Sequence, residues 1–244
     1  MCAVSTFKTI FSRYEKKYVI SPAQYDALMR LIGTRLRDDE YGQSTVCNIY
    51  FDTPDYRLIR ASVEKPIFKE KLRMRVYNIP AAASTAFVEI KRKYKGIVYK
   101  RRVSMRYDEA VAWLCRGEKP PFDAQIPQEI EYCRAVYGNL QPKVSLFYDR
   151  VAFVGKEDDS LRITFDSNIR YRATRLDLSL GDGGCTRIDG GNLVMEIKCA
   201  AAFPLWLSEA LSSLSVFPSS FSKYGTAYQQ MMQPQKDTAA LEIA

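Results

Sequence analysis

Three segments of this chain repeat Glu-x-Lys within stretches that alternate polar and apolar side chains: Glu15–Lys17, Glu89–Lys91 and Glu196–Lys198. Alternation at period two marks a β-strand with one apolar and one polar face. Here the polar face is cationic. KEKLRMRVY (69–77) sets Lys69, Lys71, Arg73 and Arg75 against Leu72, Met74 and Val76. AFVEIKRKY (86–94) places Glu89, Lys91 and Lys93 against Val88 and Ile90. Lys95-Gly96 reads as a hairpin turn. The return strand IVYKRRVSM (97–105) carries Lys100, Arg102 and Ser104 opposite Tyr99, Val103 and Met105, with Arg101 spoiling the second face. LRITFDSNIRYR (161–172) aligns Arg162, Thr164, Asp166, Asn168, Arg170 and Arg172. RYEKKYVI (13–20), TVCNIYFD (45–52), KVSLFYDRVAFVG (143–155) and LVMEIKCA (193–200) complete the predicted strands.

Helices are punctuated clearly. Ser21 is placed as an N-cap with Pro22 at the first helical position, and Gly33 ends that run. Further helices are expected over 108–117, from about Pro127 to Gly138, and from Pro204 to a stop at Pro218. Trp113 and Trp206 fall on helices and read as packing residues. SLGDGGCTRIDGG (179–191) lacks the GK[ST] of a phosphate loop and reads as a connection.

A single basic strand face is ordinarily a solvated surface. Five or six in one sheet would set like charges at cross-strand spacing, where they repel. Enclosing that face is tolerable only when a polyanion and a divalent cation fill it. The apolar face must then be covered by the helices. The predicted fold is therefore α+β: a closed antiparallel β-barrel tunnel with a charged lumen, surrounded by amphipathic helices.

Composition narrows the chemistry. Lys and Arg number 36 against 28 Asp and Glu, a net charge of +8 that points to a polyanionic partner. Histidine is absent, which excludes Ser-His-Asp and Cys-His catalysis and His-ligated zinc. Phosphoryl transfer survives that exclusion, because it depends on positioning and charge stabilisation. Nucleic acid fits less well, since the basic residues alternate with apolar partners on strands instead of interleaving with aromatics. The six cysteines show no framework spacing and are expected to be reduced, as in a cytoplasmic protein. No stretch approaches the length of a membrane span, and MCAVSTFKTIFSRYEKK shows no signal-peptide core.

RxExK at 13–17, IYFDT at 49–53, KLRMRVY at 71–77, VEIKRK at 88–93, FYDR at 147–150, LRITFD at 161–166, MEIK at 195–198 and FSKY at 221–224 together resemble the VTC domain. This is the polyphosphate polymerase domain of the vacuolar transporter chaperone complex, with stand-alone bacterial counterparts, in the triphosphate tunnel metalloenzyme superfamily. The resemblance spans residues 11–230 as a single domain and leaves 233–244 as a frayed tail. It implies that Arg73, Arg75, Lys91, Arg150, Arg162 and Lys223 act on the transferring phosphates. Lys17, Tyr148 and Lys198 would bind substrate beside them. A tunnel lysine of the return strand falls near Ser104, where Lys100 or Arg102 of the same parity substitutes. Glu196 would be the metal ligand, with Glu15 a second carboxylate, for Mn²⁺ or Mg²⁺. The implied reaction moves the γ-phosphoryl of ATP onto inorganic polyphosphate, in a monomer with no transmembrane segment of its own; a membrane-protein partner is left open. Two other readings stand beside it: a tunnel-fold triphosphatase, and a non-catalytic binder of polyphosphate or inositol phosphates.

Overall fold

The computed structural model describes residues 14–233 apart from 65, 96 and 201. Arg13 and the tail beyond Gln233 lie outside the described residues. Strands and helices run in the order β1 (Tyr14–Ile20), α1 (Pro22–Ile32), β2 (Leu36–Asp52), α2 (Arg57–Val63), β3 (Phe68–Tyr77), β4 (Thr85–Tyr94), β5 (Ile97–Arg106), α3 (Tyr107–Arg116), α4 (Gln125–Tyr137), β6 (Gln141–Gly155), β7 (Arg162–Arg172), β8 (Thr186–Arg187), β9 (Leu193–Cys199), α5 (Leu205–Ser213) and α6 (Lys223–Met232). The strands pair in the order β1-β9-β7-β6-β2-β3-β4-β5, with β8 on β7. The path ends at β1 and β5, so among the described residues the pairing is that of an open sheet. The closed barrel expected from the sequence is not shown. Side-chain alternation specifies which face is charged, but it carries no information on whether two end strands pair.

The strands match expectation closely except β8, which lies in the segment read as a connection, and β2, which begins at Leu36 instead of residue 45. Its first residues, LRDDEYGQS, are poor β-formers, so pairing extends the strand where propensity does not. Two helices escaped prediction. α2 follows Tyr56, whose φ of 60° puts it in the left-handed region. Its first turn is anchored by Asp52, whose carboxylate accepts from the backbone N–H of Thr53, Leu58 and Ile59 at 2.8–3.0 Å. α6 starts behind Ser222, whose hydroxyl accepts from Gly225 N–H at 3.2 Å.

The chain forms two compact units. Among the described residues, unit 1 comprises 14–44, 148–168 and 189–221. Its core joins Leu28 and Ile32 of α1 and Leu207 and Leu211 of α5 to Tyr18, Ile163, Phe165, Met195 and Ile197. The predicted cap of α1 is a reciprocal box: Gln24 N–H donates to Ser21 Oγ at 3.1 Å, and Ser21 N–H to Gln24 Oε1 at 3.0 Å. Unit 2 comprises, of the described residues, those in 45–147, 169–188 and 222–233. Trp113 of α3 and Ile130 and Cys133 of α4 pack there with Leu72, Met74, Val88 and Ile90. In each unit the apolar parity of the strands is the one the helices cover, as the alternation predicts. No disulfide joins any two of the described cysteines, Cys47, Cys115, Cys133, Cys185 and Cys199. No helix among the described residues is long and apolar enough to cross a membrane.

Candidate functional site

Strand register decides which charged side chains of unit 2 meet. Lys71 stands opposite Lys91, and Lys91 opposite Lys100; the neighbouring row is Arg73, Glu89 and Arg102. Rows two residues apart share a face, so Arg75 joins them. Glu89 is 1% exposed and receives Arg73 Nε and Arg102 Nε at 2.6 Å and Lys100 Nζ at 2.7 Å. Burial alone would raise its pKa, but Arg73, Arg75, Lys100 and Arg102 overcome that and hold it well below the usual glutamate range. Burial draws Lys100 down to about 7 against the pull of Glu89, with Arg102 and Arg73 pushing the same way. Its side chain nevertheless keeps 41% exposure, so solvent still reaches the ammonium.

Three polar groups brace the arginines. Arg75 Nε donates to Asn48 Oδ1 at 3.0 Å, and Asn48 Nδ2 donates to the Leu146 carbonyl. Tyr50, opposite Arg73 in the register, accepts from Arg73 Nη1 at 3.3 Å. Its ring stacks on Tyr224 at 4.6 Å, and the Tyr224 hydroxyl donates to Asp52 at 3.0 Å. Burial pushes the Tyr50 phenol up, yet Arg73, Lys71 and Arg75 outweigh it and bring it down to about 8. Lys71 Nζ donates to Ser222 Oγ at 3.2 Å, and Lys223 opens α6 directly after.

Unit 1 carries its own charged face. Glu15, Lys198 and Arg162 form one row, and Lys17, Glu196 and Thr164 the next. Glu196 contacts Lys198 Nζ at 2.5 Å and Lys17 Nζ at 3.9 Å. Its pKa, which burial would raise, is held well below the ordinary range by Lys198, Lys17 and Arg150. Arg150 forks onto Asp166 at 2.6 and 2.8 Å and lies 5.2 Å from the Tyr148 ring centroid. Arg162 pairs with Asp39 at 3.2 Å.

No group of three or more carboxylate, cysteine or histidine side chains stands ready for a metal among the described residues. Oxygen donors are nonetheless present. Thr164 Oγ1 is buried without a hydrogen-bond partner, directly opposite Glu196. Glu15 reaches the same Lys198 ammonium at 3.9 Å. One or two carboxylates with a hydroxyl suit a hard divalent cation that keeps waters and takes its remaining ligands from phosphate.

The VTC domain model matches residues 12–232. The chain belongs to the VTC domain family. Its fold is similar to that of a Bacillus halodurans protein named as a candidate adenylate cyclase. That likeness has a TM-score of 0.52 at 14% identity, over 85% of this chain and 92% of that one. A candidate adenylyl cyclase from Hippeastrum, described with a dominant triphosphatase activity, gives 0.49 at 15% identity, over 88% and 95%. At 14% identity the likeness to the Bacillus halodurans protein concerns the fold alone. No curated protein matches the chain.

Within this VTC domain, Arg73, Arg75, Lys91, Lys100 and Arg102 share the face of unit 2, with Lys223 at the start of α6. Glu15, Lys17, Arg162, Glu196 and Lys198 share two rows in unit 1, where Tyr148 and Arg150 also lie. Sequence reasoning missed the hub role of Glu89, although its parity with Lys91 was plain. It passed over Lys71 and Thr164, whose parity was equally visible. Tyr50 and Tyr224 left no pattern to read, because their partnership depends on where α6 lies within unit 2.

Proposed function

We propose that this VTC domain transfers the γ-phosphoryl group of ATP to the end of an inorganic polyphosphate chain. The observation that carries this reading is the basic face of unit 2. Lys71, Arg73, Arg75, Lys91, Lys100 and Arg102 stand in adjacent rows around one carboxylate, Glu89. Such a row matches a chain of phosphates, each bearing non-bridging oxygens that lysine and arginine neutralise.

The bond from the γ-phosphorus to the β–γ bridging oxygen breaks, a bond from a terminal chain oxygen to that phosphorus forms, and ADP leaves. The attacking phosphate is already anionic, so no base is required, which suits a chain without histidine. Arg73, Arg75, Lys91 and Lys223 are assigned to the transferring phosphates. Lys100 and Arg102 bind substrate beside them. In unit 1, Arg150 and Arg162 take phosphate oxygens, with Lys17, Tyr148 and Lys198 as binding groups. Glu196 and Glu15 would hold a divalent cation, with the Thr164 hydroxyl alongside. Mn²⁺ or Mg²⁺ bound there would offset the charge that develops on phosphate oxygens. A closed tunnel of the superfamily's type, a monomeric state and a cytoplasmic setting go with this reading.

The test is incubation of the purified protein with ATP and Mn²⁺, followed by a gel stained for polyphosphate and assays for ADP and free phosphate. Long anionic polymer with matching ADP is expected. Free phosphate without polymer would make the protein a triphosphatase, and absence of turnover would make it a binder. Arg75→Ala and Glu196→Ala should each abolish synthesis while circular dichroism stays unchanged; retained synthesis in either sinks the site assignment.

A further inference from the structure

Where β4 and β5 meet, apolar side chains stand exposed among the described residues. Ile67, Phe68, Tyr94, Ile97, Val98 and Tyr99 are between 45% and 68% exposed. Register brings them together: Phe68, Tyr94 and Ile97 form one row across three strands, Val98 faces Lys93, and Tyr99 faces Arg92. Lys95 N–H donates to the Ile67 carbonyl at 3.0 Å, which ties Ile67 to the same end. On one side the apolar surface continues into a groove of about 540 Å³, where Phe68 borders Tyr132 and Val136 of α4.

Charge at this end is one-sided. Residues 91–102, KRKYKGIVYKRR, contain seven Lys and Arg and no Asp or Glu. The neighbouring carboxylates Glu70 and Glu129 are taken up by Arg92, at 2.5 and 3.2 Å. Lys95 Nζ lies 5.4 Å from the Tyr94 ring centroid. An aliphatic tip flanked by tyrosines and ringed by lysines combines three preferences that meet at a bilayer surface. Isoleucine, valine and phenylalanine gain by leaving water, tyrosine favours the headgroup level, and lysine extends its stem to keep an ammonium on anionic headgroups.

We propose that the tip of the β4–β5 hairpin, with Ile67 and Phe68, is a docking surface for an anionic lipid bilayer. Ile97, Val98 and Phe68 enter the boundary between headgroups and acyl chains, and Lys93 and Lys95 contact the headgroup phosphates. A dissolved polyanion would engage the lysines but gain nothing from Ile97 or Val98. Docking here is independent of the reaction catalysed.

The full chain is centrifuged with vesicles of phosphatidylcholine alone and with vesicles also containing phosphatidylglycerol. Sedimentation with the anionic vesicles only, weakened by salt, is expected. The pair Ile97→Ser and Val98→Ser should remove it even at low salt, with an unchanged circular dichroism spectrum. The pair Lys93→Gln and Lys95→Gln should weaken it by about 25-fold, roughly fivefold for each cation near the surface. An Ile97→Trp variant should shift its emission to the blue on anionic vesicles, reporting entry of the tip itself. Absence of sedimentation would overturn the proposal, as would equal binding to both vesicle types. Undiminished binding of the serine pair would show a purely electrostatic polyanion surface instead. A concentration-dependent dimer that Ile97→Ser dissolves, without vesicle binding, would assign the patch to a second copy of the chain.

Discussion

Glu89 balances Arg73, Lys100 and Arg102 at once, and its removal separates stability from binding. Glu89→Gln leaves three cations crowded without their counter-charge. Each keeps part of its side chain in solvent, so the expected loss is about 1–3 kcal/mol, below that of a fully buried pair. Thermal denaturation should show a lower midpoint for the variant alone and a larger upward shift on adding tripolyphosphate. The carboxylate's depressed pKa means that its stabilising contribution is complete above the ordinary glutamate range. That contribution is lost as pH falls beneath the range, and the acid sensitivity of the variant should therefore be smaller than that of the parent. Lys100 has the opposite consequence. With its pKa drawn to about 7, its ammonium disappears as pH rises through neutrality, far earlier than for an ordinary lysine. The Michaelis constant for ATP should rise between about pH 6 and about pH 9 by up to roughly tenfold. Lys100→Arg, which keeps its charge, should flatten that profile.

At the level of elements, the return half of β7 departs from the reading of its parity. Arg170 and Arg172 appeared to continue the cationic face begun by Arg162. Asn168, between Arg162 and these two, adopts a φ of 49°, and both arginines are taken up by the glycine-rich connection. Arg170 pairs with Asp182 at 2.5 Å. Arg172 is buried and donates to the carbonyls of Asp177 and Gly181 at 2.7 Å and of Gly183 at 3.2 Å. The glycine-rich connection is thus pinned by a strand arginine. Arg172→Ala strips three carbonyls of their donor and should cost about 2–4 kcal/mol. Limited trypsin digestion should then cut after Arg175 well before the rest of the chain, whereas the parent should resist there. Equal resistance in both would show that the loop holds itself.

For the molecule as a whole, a chain of net charge +8 that gathers lysines in adjacent rows should be stabilised specifically by condensed phosphates. At about a hundredfold excess over its dissociation constant, tripolyphosphate should add about 2.7 kcal/mol, or roughly 5–10 °C in melting temperature. Sodium chloride at equal ionic strength should give far less, since screening does not replace bridging contacts. Much of this was legible in the residues. Alternation in 69–77, 86–94 and 97–105 named the charged face of unit 2 residue by residue, because side-chain direction follows backbone period alone. Ser21, Pro22 and Gly33 likewise located α1 through local capping chemistry. Tertiary structure decided what local rules do not encode. It chose the cross-strand partners that make Glu89 a hub, since register depends on two strands at once. It brought Tyr224 onto Tyr50 across a long sequence separation, and it gave Arg172 to the carbonyls of the glycine-rich connection. Period in the sequence tells a side chain which way to face; only the packed chain determines what it meets there.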